Sequence, residues 1–252
     1  MTDQPSRPTR HTFEKTRRLL DDFFKVDEYH GTCEQFDGTM GPPHRLLVFE
    51  RGDSVAALLY DPARKEVILV DQFRLPVALR AGGQFGWLLE PTAGIQPATE
   101  DVFQTAMREI REETGYQVSS LTPIATFFPS PGGSTERIHL LFAEVRQIQQ
   151  VETGGGIAQT GENIAVRRMR LTEFFSRLRN REFEDAKLII GGYWSTYWFN
   201  GNIYGSEISR GIDVFRLVPS QYLSKNEIDA ARADEIKRTR LETVQKMTRH
   251  AV

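Results

Sequence analysis

Apolar positions along this chain follow two rhythms. Short runs of strand length recur through the first two thirds, and one well-formed helical stripe interrupts them. Residues 46–50 and 54–60 read as strands, and the second ends at Asp61-Pro62, a pair that turns the chain. Residues 66–70, EVILV, are apolar almost throughout, as expected of a central strand covered on both faces. Residues 84–90, 121–127 and 138–145 predict further strands, and PSPGG at 129–133 predicts a loop between the last two. Beyond them the pattern predicts a strand at 164–169, a helix at 171–180, and a second helix at 185–199 despite its two glycines. Residues 17–24 suit either a short helix or the entry to a strand. Mixed elements joined by short links predict an α/β fold in which helices pack on a mixed sheet. Near the end, Ile228, Ala231, Ile236, Leu241, Val244 and Met247 recur at helical spacing among charges. Residues 225–249 therefore predict an amphipathic helix, docked on the domain or on a second subunit.

The clearest helix is expected over residues 100–114. With Glu109 set at zero and steps of about 100° per residue, Glu112 and Glu113 fall on the same face. Phe103, Met107 and Ile110 form the expected buried stripe, Ala106 lies between the two faces, and Arg108 and Arg111 occupy the remaining side. Gly115 stands where a left-handed cap ends a helix. Like charges at this spacing repel by about 0.2–0.5 kcal/mol per pair. The cluster also sits at the helix end whose dipole disfavours negative charge. A solvated face, with Arg108 paired to Glu112, is the plain explanation. Three carboxylates converging at i, i+3 and i+4 instead suit a hard divalent cation, which takes grouped oxygen ligands.

Bulk properties narrow the field. A net charge of −2 over 252 residues points to neither nucleic acid nor an anionic membrane as partner. Apolar content of 39% supports a sizeable core. A single cysteine, Cys33, rules out an intramolecular disulfide and suits a reducing, cytoplasmic setting. No apolar run approaches the roughly 20 residues of a membrane span. The N-terminus lacks the apolar segment of a secretory signal and reads as a disordered tail over residues 1–12. The run Gly154-Gly155-Gly156 lacks a following Lys-Ser/Thr, so it reads as a mobile hinge rather than a triphosphate loop. His139, within an apolar run, reads as a sheet residue, Cys33 as structural, and the aromatics of residues 193–199 as core packing.

Gly94, Glu100, Arg108, Glu109, Ile110, Glu112, Glu113 and Gly115 together resemble the Nudix box, with Tyr116 where an aliphatic residue is usual. That resemblance implies an α/β/α sandwich with a mixed sheet, carrying here N-terminal strands and a C-terminal helical extension. It also implies hydrolysis of a nucleoside diphosphate linked to another group, with Mg²⁺ or Mn²⁺. The flanking segments VILVDQFRLP, WLLEPTAGI, SPGGSTERIHLLFAEV and GENIAV are similar to the ADP-ribose pyrophosphatase and nucleoside-diphosphate-sugar hydrolase branch.

Carried over position by position, the resemblance makes Glu109, Glu112, Glu113, Glu162 and the carbonyl of Ala93 metal ligands. Arg108 orients the carboxylates, and Glu100 is an accessory contact. Arg74 would meet a substrate phosphate, Glu136 the nucleotide or sugar, and Phe23 the base. The position that holds a glutamate base in bacterial relatives is Thr160, which cannot serve as a base near neutral pH. Glu162 is then the first choice of base, with Glu152 as an alternative. The resemblance further implies a homodimer in which N-terminal elements cross to the partner. It divides the chain into a dimerisation and substrate segment at 13–45, a hydrolase domain at 46–200, and an extension at 201–252. The expected reaction is ADP-ribose to AMP and ribose 5-phosphate. GDP-mannose or another nucleotide sugar is an alternative substrate, and a catalytically silent ligand-binding domain is the alternative role.

Overall fold

The structure is a computed structural model, and it describes residues 7–83, 85–157, 162–192, 196–199, 202–207 and 211–216. Three antiparallel strands come first: β1 (Glu14–Asp21), β2 (Lys25–Gly31) and β3 (His44–Glu50). Of residues 17–24, open to either reading in sequence, 17–21 are strand and 22–24 bend the chain into β2. The sheet is fastened to the rest of the molecule through the PSPGG loop. Phe49 N donates to Gly133 O at 2.7 Å, and Thr135 N returns a bond to Phe49 O at 3.1 Å.

A seven-stranded mixed sheet then forms the body. Its elements are β4 (Ser54–Asp61), β5 (Glu66–Phe73), α1 (Leu75–Arg80), β6 (Trp87–Glu90), β7 (Thr92–Ile95), α2 (Val102–Thr114), β8 (Thr122–Phe127), β9 (Ile138–Glu144), β10 (Ile164–Arg170), α3 (Leu171–Arg179) and α4 (Ala186–Gly192). The strand path is β10-β5-β4-β9-β8, with β6 paired to β5 and β7 to β4. Only the β4–β9 pairing within this sheet is parallel.

β4 is buried along its whole length because both faces are covered. The period of two sends Val55, Ala57 and Leu59 to one side, where they meet Ala106 and Ile110 of α2. Leu58 and Tyr60 go to the other side, against Phe174, Phe175 and Leu188 of α3 and α4. The α/β/α layering and mixed sheet expected from sequence are therefore present.

Three expectations are corrected. The strand expected at 84–90 begins only at Trp87: α1 ends at Arg80, and Gly82 and Gly83, at φ 66° and 80°, turn the chain before the strand can start. The helix expected at 185–199 ends at Gly192. Thr196–Phe199 is instead a strand, β11, leading into β12 (Asn202–Glu207) and β13 (Gly211–Arg216) as a separate antiparallel sheet. A β-branched and aromatic run after a glycine pair favours strand over continued helix. Of the tail expected to be disordered over 1–12, residues 1–6 lie outside the described residues, as do Tyr193, Trp194 and the helix expected at 225–249. Residues 10–12 instead run antiparallel to 32–34, with Glu34 N donating to Arg10 O and Thr12 N to Thr32 O, each at 2.9 Å.

Candidate active site

α2 begins with a reciprocal cap. The Asp101 carboxylate accepts from Phe103 N and Gln104 N, and the Gln104 side chain accepts from Asp101 N. The helix is therefore two residues shorter at its start than the sequence pattern suggested. Its buried stripe is also rotated. Phe103 is 42% exposed, whereas Ala106, Ile110 and Glu113 are buried. The inward face is thus centred near Ala106 and overlaps the acidic face, so Glu109 and Glu113 point against β7 while Glu112 stays part-exposed beside Arg108.

Gly94 makes this possible. A Cβ there would lie 2.0 Å from Glu109 Oε1 and 2.1 Å from its Cδ, so any larger residue would occupy the space of the carboxylate. Arg108 organises the same group from outside. Its Nε donates to both oxygens of Glu100 at 3.1 and 3.2 Å, and its Nη1 donates to Glu109 at 2.8 Å and Glu112 at 2.9 Å. Four box residues thus form one hydrogen-bonded unit. Arg111 is elsewhere, donating from Nε to Glu152 at 2.9 Å. Glu152, the alternative base, is held there on the outer side of the helix.

Glu113 is the most enclosed of the carboxylates, at 4% exposure. Burial pushes its carboxyl up to about 8, even though Thr92 Oγ1 and Ala93 N both donate to Oε2, the latter at 3.2 Å. Burial also raises Glu109, and the charges of Glu112 and Glu162 add to that rise. The Glu162 carboxylate accepts from Ile157 N at 2.7 Å, next to the glycine run whose N–H groups bond the carbonyls of Glu112 and Glu113, although it lies about fifty residues further along the chain. The donor set is all hard oxygen and short of positive charge, which fits a divalent cation. Among the described residues no group of three acidic, His or Cys side chains is placed to hold a metal ion. Glu109 and Glu112 lean on Arg108 instead.

The end of α2 is tied down, contrary to the expectation of a mobile hinge. Gly155 N donates to Glu113 O at 2.8 Å and Gly156 N to Glu112 O at 3.1 Å. Val151 N donates to Gly115 O at 2.9 Å, and Gln150 Nε2 to Thr114 O at 3.3 Å. The loop thus supplies donors to carbonyls that a helix end leaves open. Tyr116, the departure from the usual box, is buried, and its hydroxyl accepts from Arg168 of β10 at 3.2 Å. An aliphatic residue could not make that bond.

The remaining sequence-predicted residues divide. Arg74 forms a two-pronged pair with Glu90 at 2.7 and 2.9 Å. Burial works against its charge, but Glu90 first, then Glu113 and Asp185, keep its pKa raised. Glu136 is buried, accepting from Ser54 Oγ at 2.6 Å with Arg51 at 3.6 Å. Phe23 lies between β1 and β2, 73% exposed, with its ring against Phe24 at 4.8 Å. It joins the N-terminal sheet rather than the carboxylate group. Thr160 lies outside the described residues. His139 is a sheet residue as expected, with Nδ1 3.0 Å from Thr126 Oγ1.

Sequence reasoning missed Thr92, Glu90 and Lys187. Lys187 donates to Glu90 at 3.2 Å and to Asp185, extending the charge network behind Arg74. A glutamate closing the apolar run WLLE was the available signal for Glu90. Nothing in the sequence marked Thr92.

Comparison with known proteins shows the family. Residues 50–190 match the family described as NUDIX domain. The ADP-ribose pyrophosphatase of Escherichia coli (strain K12) is 33% identical over 175 residues, spanning 68% of this chain and 81% of that protein. The GDP-mannose pyrophosphatase of Salmonella arizonae is 35% identical over 179 residues, spanning 71% and 91%. A solved structure titled "Crystal structure of ADP compounds hydrolase" superposes with a TM-score of 0.54 at 18% identity. It covers 77% of this chain and 96% of that one, and supports the fold alone.

Proposed function

The chain belongs to the Nudix family as a pyrophosphatase, and from that premise we propose that it hydrolyses the diphosphate of a nucleoside diphosphate sugar, with ADP-ribose giving AMP and ribose 5-phosphate. The observation that carries the reading is the unit of Glu100, Arg108, Glu109 and Glu112, folded into the space left by Gly94. Its similarity to relatives named for ADP-ribose and for GDP-mannose is nearly equal, so GDP-mannose is the second candidate substrate.

Glu109, Glu112, Glu113, Glu162 and the Ala93 carbonyl would hold the divalent cation, Mg²⁺ or Mn²⁺. When bound, the cation would offset the diphosphate charge and acidify water at the site. The chain's own residues supply the rest. Arg108 keeps Glu109 and Glu112 in place, and Arg74, backed by Glu90 and Lys187, donates to a diphosphate oxygen. Glu162 takes the proton of the attacking water. A new O–P bond then forms as the bridging P–O bond breaks, and the departing phosphate keeps the bonding pair. Glu136 and Phe23 would contact the sugar and the base.

A homodimer belongs to the same proposal, supported by Leu19, Leu20, Leu46 and Leu47 exposed on the N-terminal sheet. A reducing, cytoplasmic setting, as suits the lone Cys33, belongs to it too. No helix among the described residues is long and apolar enough to cross a membrane. The test is a panel of nucleotide sugars assayed with Mg²⁺ and Mn²⁺, with sizing in solution. Release of AMP from ADP-ribose that stops on chelation is expected. Absence of turnover on every nucleotide sugar would overturn the reading, and a monomer at micromolar concentration would overturn the shared assembly.

A further inference from the structure

Gly154, Gly155 and Gly156 take successive positive φ values of 71°, 112° and 77°. Such a run is costly in conformational entropy and is not needed merely to turn a chain. We propose that this triglycine segment positions Glu162, linking the backbone of the α2 carboxylate residues to the side chain of the base. The inference rests on the reading of Glu162 given above.

Three observations point the same way. The N–H groups of Gly155 and Gly156 bond to the carbonyls of Glu113 and Glu112 themselves, which fixes the segment on the residues whose side chains would hold the cation. They also place donors at the negative end of the helix dipole, beside carboxylates that this end disfavours. On the other side, Ile157 N donates to Glu162 Oε2 at 2.7 Å, and Ile164 N donates to Gly155 O at 3.3 Å, drawing the start of β10 onto the same strut.

Steric clearance completes the link. A Cβ on Gly154 would lie 2.5 Å from Glu113 O, so a side chain there would lift the segment off the helix. A Cβ on Gly156 would lie 2.8 Å from Glu162 Oε2 and 3.0 Å from Glu162 Cβ. Ile164 Cδ1 would also lie 3.0 Å away, but the nearest obstacle is the Glu162 carboxylate at the end of a flexible side chain, so an added methyl group would push that carboxylate first. A hinge would need none of these contacts, whereas a positioning element needs all of them.

The test compares Gly156→Ala with Gly38→Ala, each in the full-length chain. Gly38 also has a positive φ, 83°, but nothing lies within 4 Å of its added Cβ, so it reproduces the backbone strain without the contact. With nucleotide sugar and Mg²⁺, below the melting range of every variant, Gly156→Ala should lower kcat about tenfold with KM within about twofold. Gly38→Ala should stay within about twofold of the parent. In a Glu162→Gln background, adding Gly156→Ala should change kcat by less than about twofold, because both changes remove one function. A parental kcat in Glu162→Gln would overturn the base reading and the strut with it. An impaired Glu162→Gln accompanied by a parental Gly156→Ala, or by fully additive losses, would overturn the strut and leave the base reading standing.

Discussion

Among the regions that bury carboxylates, the N-terminal sheet and α2 treat them in opposite ways. In the N-terminal sheet, Asp27 and Glu28 are almost fully covered, each by exposed cationic side chains. Asp27 accepts from Lys15 at 2.7 Å and Arg18 at 2.8 Å, and Glu28 from Arg17 at 3.2 Å and from Arg45. These bonds, Arg18 first for Asp27 and Arg45 first for Glu28, hold both carboxyls down at about 2. On α2 the balance is reversed. Burial drives Glu113 up to about 8, and Glu109 is raised despite Arg108. Carboxylates that serve structure carry their cations with them; those on α2 are left short of positive charge, which is the condition for taking a cation from solution. Acid content alone does not separate the regions. The number of neighbouring cations does.

The largest effect that could break this comparison is on turnover. Glu112→Gln removes one charge and keeps the shape, and should lower kcat at least about 100-fold in a steady-state assay with Mg²⁺ while the melting temperature holds. Near-parental turnover would mean that the α2 cluster is as structural as the N-terminal one. Gly94→Ala should come next. The new methyl group occupies the site of the Glu109 carboxylate, so activity should fall about tenfold or more and half-activation should need more Mg²⁺.

Glu28→Gln probes the other side. Arg17 and Arg45 lose a charged partner, so the melting temperature should drop by a few degrees while turnover per folded molecule stays nearly parental. The smallest effect is the pH dependence, read by thermal melts in chelator. A carboxyl raised in the folded state binds more protons there than in the unfolded chain, so Glu113 should make stability fall as pH rises from about 5 to 8. Added Mg²⁺ should oppose that fall. Asp27 and Glu28 have lowered values, so their contribution is present above the unfolded carboxylate range and should be lost as pH drops from about 4 to 2. A melting temperature flat from pH 5 to 8 in chelator would remove the distinction between the two regions.

Much of the site could be read locally. Spacing alone put Glu109, Glu112 and Glu113 on one helix face and assigned Gly115 as its cap, since a helix fixes angles between near neighbours. The role of Gly94 was legible only as a motif position. Its physical reason, clearance for Glu109, required knowing that β7 crosses that face. The rotation of the buried stripe away from Phe103 was hidden for the same cause, because an amphipathic pattern does not say which part of its face meets a sheet. Gly154, Gly155 and Gly156 were visible but misread as a hinge, since glycine signals permissive backbone and not what the backbone then binds.

The sequence by itself determined the family, the acidic helix and the central strand at 66–70 covered on both faces, because these rest on short-range periodicity and fixed spacing. Tertiary structure alone decided that Glu162 lies against the glycine run bonded to Glu112 and Glu113, that Lys187 stands behind Glu90 and Arg74, and that Tyr116 reaches Arg168. These partners are tens of residues apart in the chain. Strand order and helix docking set which of them meet, and no local pattern carries that information.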